Sequence, residues 1–429
     1  MAQIKAFGAM RFQEKAGTIA ELVCPPYDII SEEERLGYLA RNPHNIIRLE
    51  LPREGEDPYE TAGNTMQVWL EQKIIGCDPA PGFYIYEEDF EAAGERRKVK
   101  GIVCLVKLEE FAKGIVLPHE ETLSKAKEDR FSLMCATGCN FSSIYSLYFD
   151  ERRDIYPRIE ALSAKEPDLC FNVGDGIEHR LWCVYDPGEI AALVAAFADR
   201  KLYIADGHHR YETALNYRNH LREQGLDEKG AADYVMMTLV HMEHPGLVVL
   251  PTHRVVRGIE NFDFAALLAG CEAYFDIAAE EVSGIAAGLE TAAKQGKKML
   301  ALYHGKKCYL LELRSKDVMA ELLPNASAAM QQLDVSILHT LVLERLLGIN
   351  KENMANQKNL VYTRDIAEAI SAVDQGEANC AFLINPTGVQ EIAAVAGAGE
   401  KMPQKSTYFY PKLITGHVMN KMFEIKTPG

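Results

Sequence analysis

Apolar positions along the chain recur in two periods that alternate often. Ala62, Met66, Trp69 and Leu70 stand at helical spacing within residues 57–73, which predicts an amphipathic helix. Residues 83–87 and 100–108 predict strands, the second a nearly continuous apolar run suited to burial on both faces. Residues 180–185 read as a strand, 189–198 as an alanine-rich helix, and 201–205 as a short buried strand. A polar string, Asp206-Gly207-His208-His209-Arg210, follows at once. It leads into a helix whose apolar face is Tyr211, Ala214, Leu215 and Leu221. Strands are expected at 234–241, 247–250, 299–303 and 308–313, and a last βα unit starts at 380–384. Near the N-terminus, Ser31 before Glu32, Glu33 and Glu34 predicts a capped helix start. The fold class is therefore mixed α/β (α+β).

Length and charge narrow the picture. At about 150 residues per domain, 429 residues make two or three domains. Shifts in composition divide the chain at about 115 and 258: a mixed α/β region over 1–115, a core over 116–258, and a blander α/β region over 259–429. The net charge of −16 disfavours nucleic acid and anionic membrane surfaces as partners, while leaving room for a local cationic pocket. The first fifteen residues contain no apolar core of a signal peptide, and no apolar run approaches the length of a membrane span, so a cytoplasmic location is expected. The ten cysteines lie mostly in apolar stretches and read as reduced, buried thiols. Cys135 and Cys139 suit one helix face, but no second pair completes a zinc site. No oligomeric state follows from the sequence.

Four segments carry candidate chemistry. In the first, a strand, a glycine turn and a helix start bring unpaired N–H groups and the positive end of a helix dipole to one loop. Gly207 permits close backbone approach or a positive φ, and Arg210 offers a fork for phosphate or carboxylate. His208 and His209 can donate to phosphate oxygens or exchange protons. Asp206 beside a phosphate suggests a held Mg²⁺ or an oriented histidine. The plain alternative is a helix start with two surface histidines. The second segment, Leu117-Pro118-His119-Glu120-Glu121-Thr122, puts a carboxylate beside a histidine at a strand end, as a general base needs; a solvated loop would look the same. In the third, Pro25 and Pro26 hold Tyr27 and Asp28 rigidly, in a binding loop or a structural turn. The fourth, residues 401–412 with Lys405, Ser406, Thr407, Tyr408, Tyr410 and Lys412, is an anion pocket or an amphipathic strand; Pro251-Thr252-His253-Arg254 is a weaker case. P-loop, H-E-x-x-H, G-x-S-x-G and G-x-G-x-x-G motifs are missing.

The strings CPPYD, LPHEETL, KEDR, IADGHHRYETALNYR, LPTHR and KSTYFYPKL, in this order, resemble a prokaryotic family catalogued as domain of unknown function 1015. The resemblance covers essentially the whole chain. The DGHHR loop also resembles that of the ParB/sulfiredoxin-like superfamily, which includes nucleotide-dependent free-serine kinases. The resemblance implies a ParB/sulfiredoxin-like core with added N-terminal and C-terminal α/β regions, and an insertion between Glu120 and Asp206. It implies ATP or ADP with Mg²⁺ as cofactors, and a nucleotide and a small hydroxylated metabolite, free L-serine by first preference, as partners. Carried over, Gly207, His208, His209 and Arg210 bind phosphate, Asp206 takes the acidic role near Mg²⁺ and the hydroxyl with His209 beside it, and Glu120 is the first match for the base with Asp28 second; Lys405 of the fourth segment joins the expected phosphate contacts. Two other readings stand beside this one. One is a metal-dependent hydrolase with Asp206, His208 and Glu212 as ligands, the last two being four apart on one helix face. The other is a non-enzymatic ParB-like binding adaptor, which the acidic charge disfavours.

Overall fold

The computed structural model describes residues 1–122, 124–226 and 230–423. Leu123, which closes the LPHEETL string, lies outside the described residues. The chain forms two compact units. The first takes Met1–Pro118, Thr122–Val248 and Pro411–Gly429; the second takes His119–Glu121 and Val249–Tyr410. This division differs from the three regions drawn by composition, because strands before and after residue 115 share one sheet and the chain returns to the first unit at Pro411.

The first unit is built on a nine-stranded mixed sheet. Its strands are β1 (Ile4–Lys5), β2 (Phe83–Ala92), β3 (Glu95–Lys107), β4 (Val116–Leu117), β5 (Ile144–Tyr148), β6 (Leu169–Asn172), β7 (Glu178–Val184), β8 (Leu202–Asp206) and β9 (Tyr234–His241). The order is β4-β8-β5-β9-β3-β2-β7-β6, with β1 also on β3. The β4/β8 and β5/β9 pairs are parallel. Strands β2 and β3 make a long hairpin through Ala93 and Gly94, both at positive φ (53° and 75°), the geometry that matches the twist of paired strands. The hairpin outruns the expected 83–87 because its polar end is itself buried: Asp89 accepts from Arg96 and Arg180.

Helix α1 (Glu32–Arg41) starts at Ser31 with a complete capping box to Glu34. Helix α2 (Pro58–Glu71) is capped by Asp57, has Pro58 in its first turn, and buries Ala62, Met66 and Trp69. Helix α3 (Ser124–Thr137) ends at Gly138, whose φ of +61° turns the chain. Cys135 therefore sits on the helix and Cys139 on the strand beyond it, so the two do not share a helix face. All ten cysteines are free thiols; six are buried, while Cys77, Cys135 and Cys170 are exposed. Helices α4 (Pro187–Phe197) and α5 (His208–Glu223) cover the sheet, and Leu193, Phe197, Tyr211, Leu215 and Leu221 join its core.

The second unit holds a fully antiparallel six-stranded sheet. Strands β10 (His253–Val256), β11 (Phe275–Glu280), β12 (Met299–His304), β13 (Lys307–Leu313), β14 (Leu360–Thr363) and β15 (Cys380–Leu383) run in the order β11-β13-β12-β15-β10-β14. Both faces are buried. Val256, Leu302 and Phe382 enter one core, and their neighbours Val255, Ala301 and Ala381 enter another, under α6 (Ile285–Lys294) and α7 (Ile366–Asp374). A π-helical segment, Leu338–Glu344, ends the helical stretch that packs on the first face. No helix among the described residues is long and apolar enough to cross a membrane.

Candidate functional site

The site is built where β8 ends. The pairing of β8 with β5 slips between Ile204 and Asp206, so Asp206 stands opposite Tyr145. Such an irregularity re-aims the side chain at a strand end. Gly207 follows in the left-handed region (φ +92°) and occupies the cap position of α5, where it offers no side chain of its own. A Cβ here would come within 2.9 Å of the Arg210 guanidinium, so glycine serves both the turn and the side chain folded over it. His208 is buried, and His209 and Arg210 are half-buried.

Both oxygens of Asp206 face cations. Oδ1 accepts from Lys412 Nζ, and Oδ2 from Arg210 Nη2 at 2.8 Å. Burial alone would push this carboxyl up, but Lys412, Arg210 and His208 more than cancel it and hold it well below the usual carboxylate range. The other arm of Arg210 donates to the Ser143 carbonyl at 2.6 Å. Asp206 therefore works as a strut that aims two cations. Each of its oxygens already accepts from a cation.

A second layer lies behind Arg210. Arg130 of α3 is buried; Nη1 donates to the Glu50 carbonyl at 2.7 Å, and its guanidinium stacks 4.0 Å from the Tyr27 ring centre. Glu50, 2% exposed, accepts from Ser142 Oγ at 3.1 Å. Burial raises its pKa, with Arg130 and Arg210 opposing and Asp28 reinforcing. Burial and Asp28 likewise raise Tyr27, while Arg130 and Arg210 lower it. Tyr27 and Glu50 thus sense Asp28 and Arg210 together, which places the CPPYD loop and the DGHHR loop in one electrostatic neighbourhood.

A buried polar group adjoins it. The Tyr86 hydroxyl lies 2.7 Å from His179 Nδ1 and 3.1 Å from Glu88 Oε1, and the His417 ring centre is 4.4 Å from that of Tyr86. Burial raises Glu88 to about 8 and lowers His179 to about 4 and His417 to about 3. Tyr145 feels both Glu88 and Asp206.

The remaining expected residues have partners of their own. Glu120 belongs to the second unit, where its Oε1 accepts from the Thr407 N–H (3.1 Å) and Oγ1 (3.0 Å), and Thr407 Oγ1 lies 2.9 Å from His119 Nε2. Lys405 is also in the second unit, exposed; its carbonyl accepts from Arg254 at 3.2 Å. The cation that meets the loop is Lys412, seven residues on in the same tract. Glu212 does not gather with Asp206 and His208 into a metal shell: it accepts from Lys127 (2.8 Å) and Thr122 (2.7 Å), and no group of three metal-ligating residues forms among the described residues. Glu50, Glu88, His179 and His417 carried no local signal, since each stands singly among residues far apart in sequence. Arg130 had one, the KEDR string, but a charged helix face explains such a run equally well.

Over residues 4–336 the chain matches the family described as "Protein of unknown function (DUF1015)". The chain belongs to this family. No curated protein sequence gives a significant match. Among solved structures it is similar to a conserved hypothetical protein from Pyrococcus furiosus, at 14% identity over 75% of this chain and 95% of that one, with a TM-score of 0.36. It is also similar to a free serine kinase in complex with AMP (13% identity, 72% and 87% covered, TM-score 0.35). A third is SbnI with a C-terminal truncation from Staphylococcus aureus (12%, 74% and 86%, TM-score 0.34). Likenesses of this size assign no chemistry to the chain.

Proposed function

We propose that the chain is a nucleotide-dependent phosphotransferase acting on a small hydroxylated metabolite, free L-serine by first preference, with the first unit as its ParB/sulfiredoxin-like core. The observation that carries the reading is the turn from β8 through Gly207 into α5, where a helix start whose cap residue has no side chain stands beside Arg210 and Lys412. The space enclosed by Glu50, Arg130, Ser142 and Arg210 is about 40 Å³, room for water and not for a nucleotide. Phosphates therefore meet the outward side of the loop.

In this reading the acceptor hydroxyl oxygen attacks the terminal phosphorus of ATP or ADP. The new P–O bond forms as the bond to the leaving nucleotide breaks, and ADP or AMP departs. The hydroxyl proton passes to a carboxylate, which within the first unit is Asp28. Arg210, His208 and His209 meet the charge on the transferring group, and Asp206 fixes the direction of Arg210. Mg²⁺ enters as the counter-ion of the nucleotide.

The test incubates the full chain with ATP or ADP, Mg²⁺ and L-serine. Phosphoserine formed in step with ADP or AMP is expected. No phosphoserine with either nucleotide, while a control kinase works, overturns the reading. Asp28→Asn is expected to lower kcat by about a hundredfold or more with nucleotide KM little changed. The same loss in Glu120→Gln, with Asp28→Asn active, reassigns the base.

A further inference from the structure

The second unit contains a cavity of about 490 Å³, a volume typical of small-molecule sites. Leu322, Leu323, Met330 and Met354 give it an apolar side. The two methionines are unbranched and polarisable, so that side adapts to bodies of more than one shape. Thr340 and Glu344 join the wall from the π-helical segment Leu338–Glu344, a conformation that is rare and concentrated at functional sites. Tyr362 joins it from β14, opposite Arg254 of β10, whose guanidinium lies 5.2 Å from the Tyr362 ring centre.

The charged groups of the wall are already balanced or wet. Three carboxylates, Glu121, Glu344 and Glu400, stand against two ammonium groups, Lys351 and Lys401. Glu400 accepts from the Ser327 N–H (2.8 Å) and hydroxyl, and Glu344 lies in the field of Lys351. Glu121 and Lys351 are exposed to water, and Lys401 has a partner of its own. An anion or a cation entering the cavity would therefore give up hydration without gaining a dry ion pair.

The uncharged groups are open. Tyr362 and Thr340 are half-buried, and neither hydroxyl has a hydrogen-bond partner among the described residues. Neither belongs to the sealed polar atoms of the interior, as His339 Nδ1 does, so both keep accessible surface. A hydroxyl donates or accepts equally well, and so suits a neutral oxygen of either kind. We infer that this cavity binds an uncharged small molecule with an apolar body and one hydroxyl or carbonyl oxygen. The body lies against Leu322, Leu323, Met330 and Met354, and the oxygen bonds to the Tyr362 hydroxyl. The inference is independent of the phosphotransfer reading, since it concerns the other unit and a ligand without phosphate.

Calorimetric titration of the full chain with 4-phenylbutanol, 4-phenylbutyrate and 4-phenylbutylamine, which share one body and differ in charge, tests it. The alcohol is expected to bind one to one. The acid and the amine should each bind about tenfold or more weaker, a small part of the cost of taking an unpaired ion out of water. Thr340→Trp, which fills the cavity from a half-buried position, is expected to abolish binding. If that variant does not fold, Leu323→Trp, also half-buried, takes its place. Tyr362→Phe should weaken the alcohol by about two- to tenfold, the worth of a neutral hydrogen bond. No binding of the alcohol to the wild-type chain, or an acid or amine that binds as tightly as the alcohol, overturns the inference. So does undiminished binding by a folded tryptophan variant, or unchanged affinity in folded Tyr362→Phe.

Discussion

Two arginines, one in each unit, show opposite ways of keeping a cation indoors. Arg210 faces the Asp206 carboxylate at 2.8 Å, and Lys412 shares that carboxylate. Among the described residues Arg254 touches dipoles, namely two carbonyls, one imidazole nitrogen and one aromatic ring, with Glu120 acting from farther away. The difference bears on what each can bind. An incoming phosphate must compete with Asp206 for Arg210, so the first site exchanges one anion for another. Arg254 has no carboxylate partner among the described residues to exchange, and its contacts tie Thr252 and His339 together inside the second unit.

The largest effect expected from this contrast is on stability. Arg254→Met strands the Thr252 carbonyl and His339 Nε2 in a dry interior, at about 1 kcal/mol or more each, so a loss of about 2 kcal/mol or more is expected in urea denaturation. Arg210→Met should lose about 1 kcal/mol, because Lys412 still neutralises Asp206. An Arg254→Met protein as stable as the wild type would break the comparison, since it would mean that the dipoles gain no more than the buried charge costs. Gly207→Ala comes next. It forces a side chain to φ +92° and against the Arg210 guanidinium, with an expected cost of about 1 to 2 kcal/mol and weaker nucleotide binding. Unchanged denaturation would show that the turn relaxes freely.

Stability is also expected to depend on pH. Glu88 rises from 4.5 to about 8 on burial, so the folded chain keeps a proton that the unfolded chain gives up. Its contribution is full below pH 4.5 and declines as the pH rises toward 8. His179 and His417, lowered from 6.5 to about 4 and 3, act in the opposite sense: their contribution is full above 6.5 and declines as the pH falls. Glu88→Gln should therefore flatten the alkaline side of a plot of Tm against pH and leave the acid side as it was. Parallel wild-type and variant profiles from pH 5 to 8 would show that Glu88 is already ionised (an order-of-magnitude window from linkage).

Much of the fold was legible because local rules and tertiary packing agree there. The Ser31 cap, the Asp57-Pro58 helix start and the apolar face of α5 each follow from side chains within a turn of one another. The strand at Tyr234–His241 emerged with its limits intact, its apolar run being long and bounded by polar residues. Strands β10 and β14 did not, since each is four residues long and β10 carries His253 and Arg254 into a core where both are buried. The DGHHR loop declared itself because a strand, a glycine and a helix start are contiguous. Its partners did not: Glu50, Ser143 and Lys412 come from segments that only the sheet of the first unit brings together, and no spacing rule links them. Choosing between Lys405 and Lys412 required knowing where the chain returns to the first unit.

Phosphate binding by the loop from Asp206 to Arg210 is open to direct measurement, by titrating ADP and ATP, with Mg²⁺, into the wild-type chain and into Arg210→Ala. Binding to the wild type, weakened in the variant by about 1.5 to 3 kcal/mol (10- to 150-fold, the worth of a hydrogen bond to a charged group), is expected. No binding to the wild type, or equal affinity in a folded Arg210→Ala protein, would contradict it.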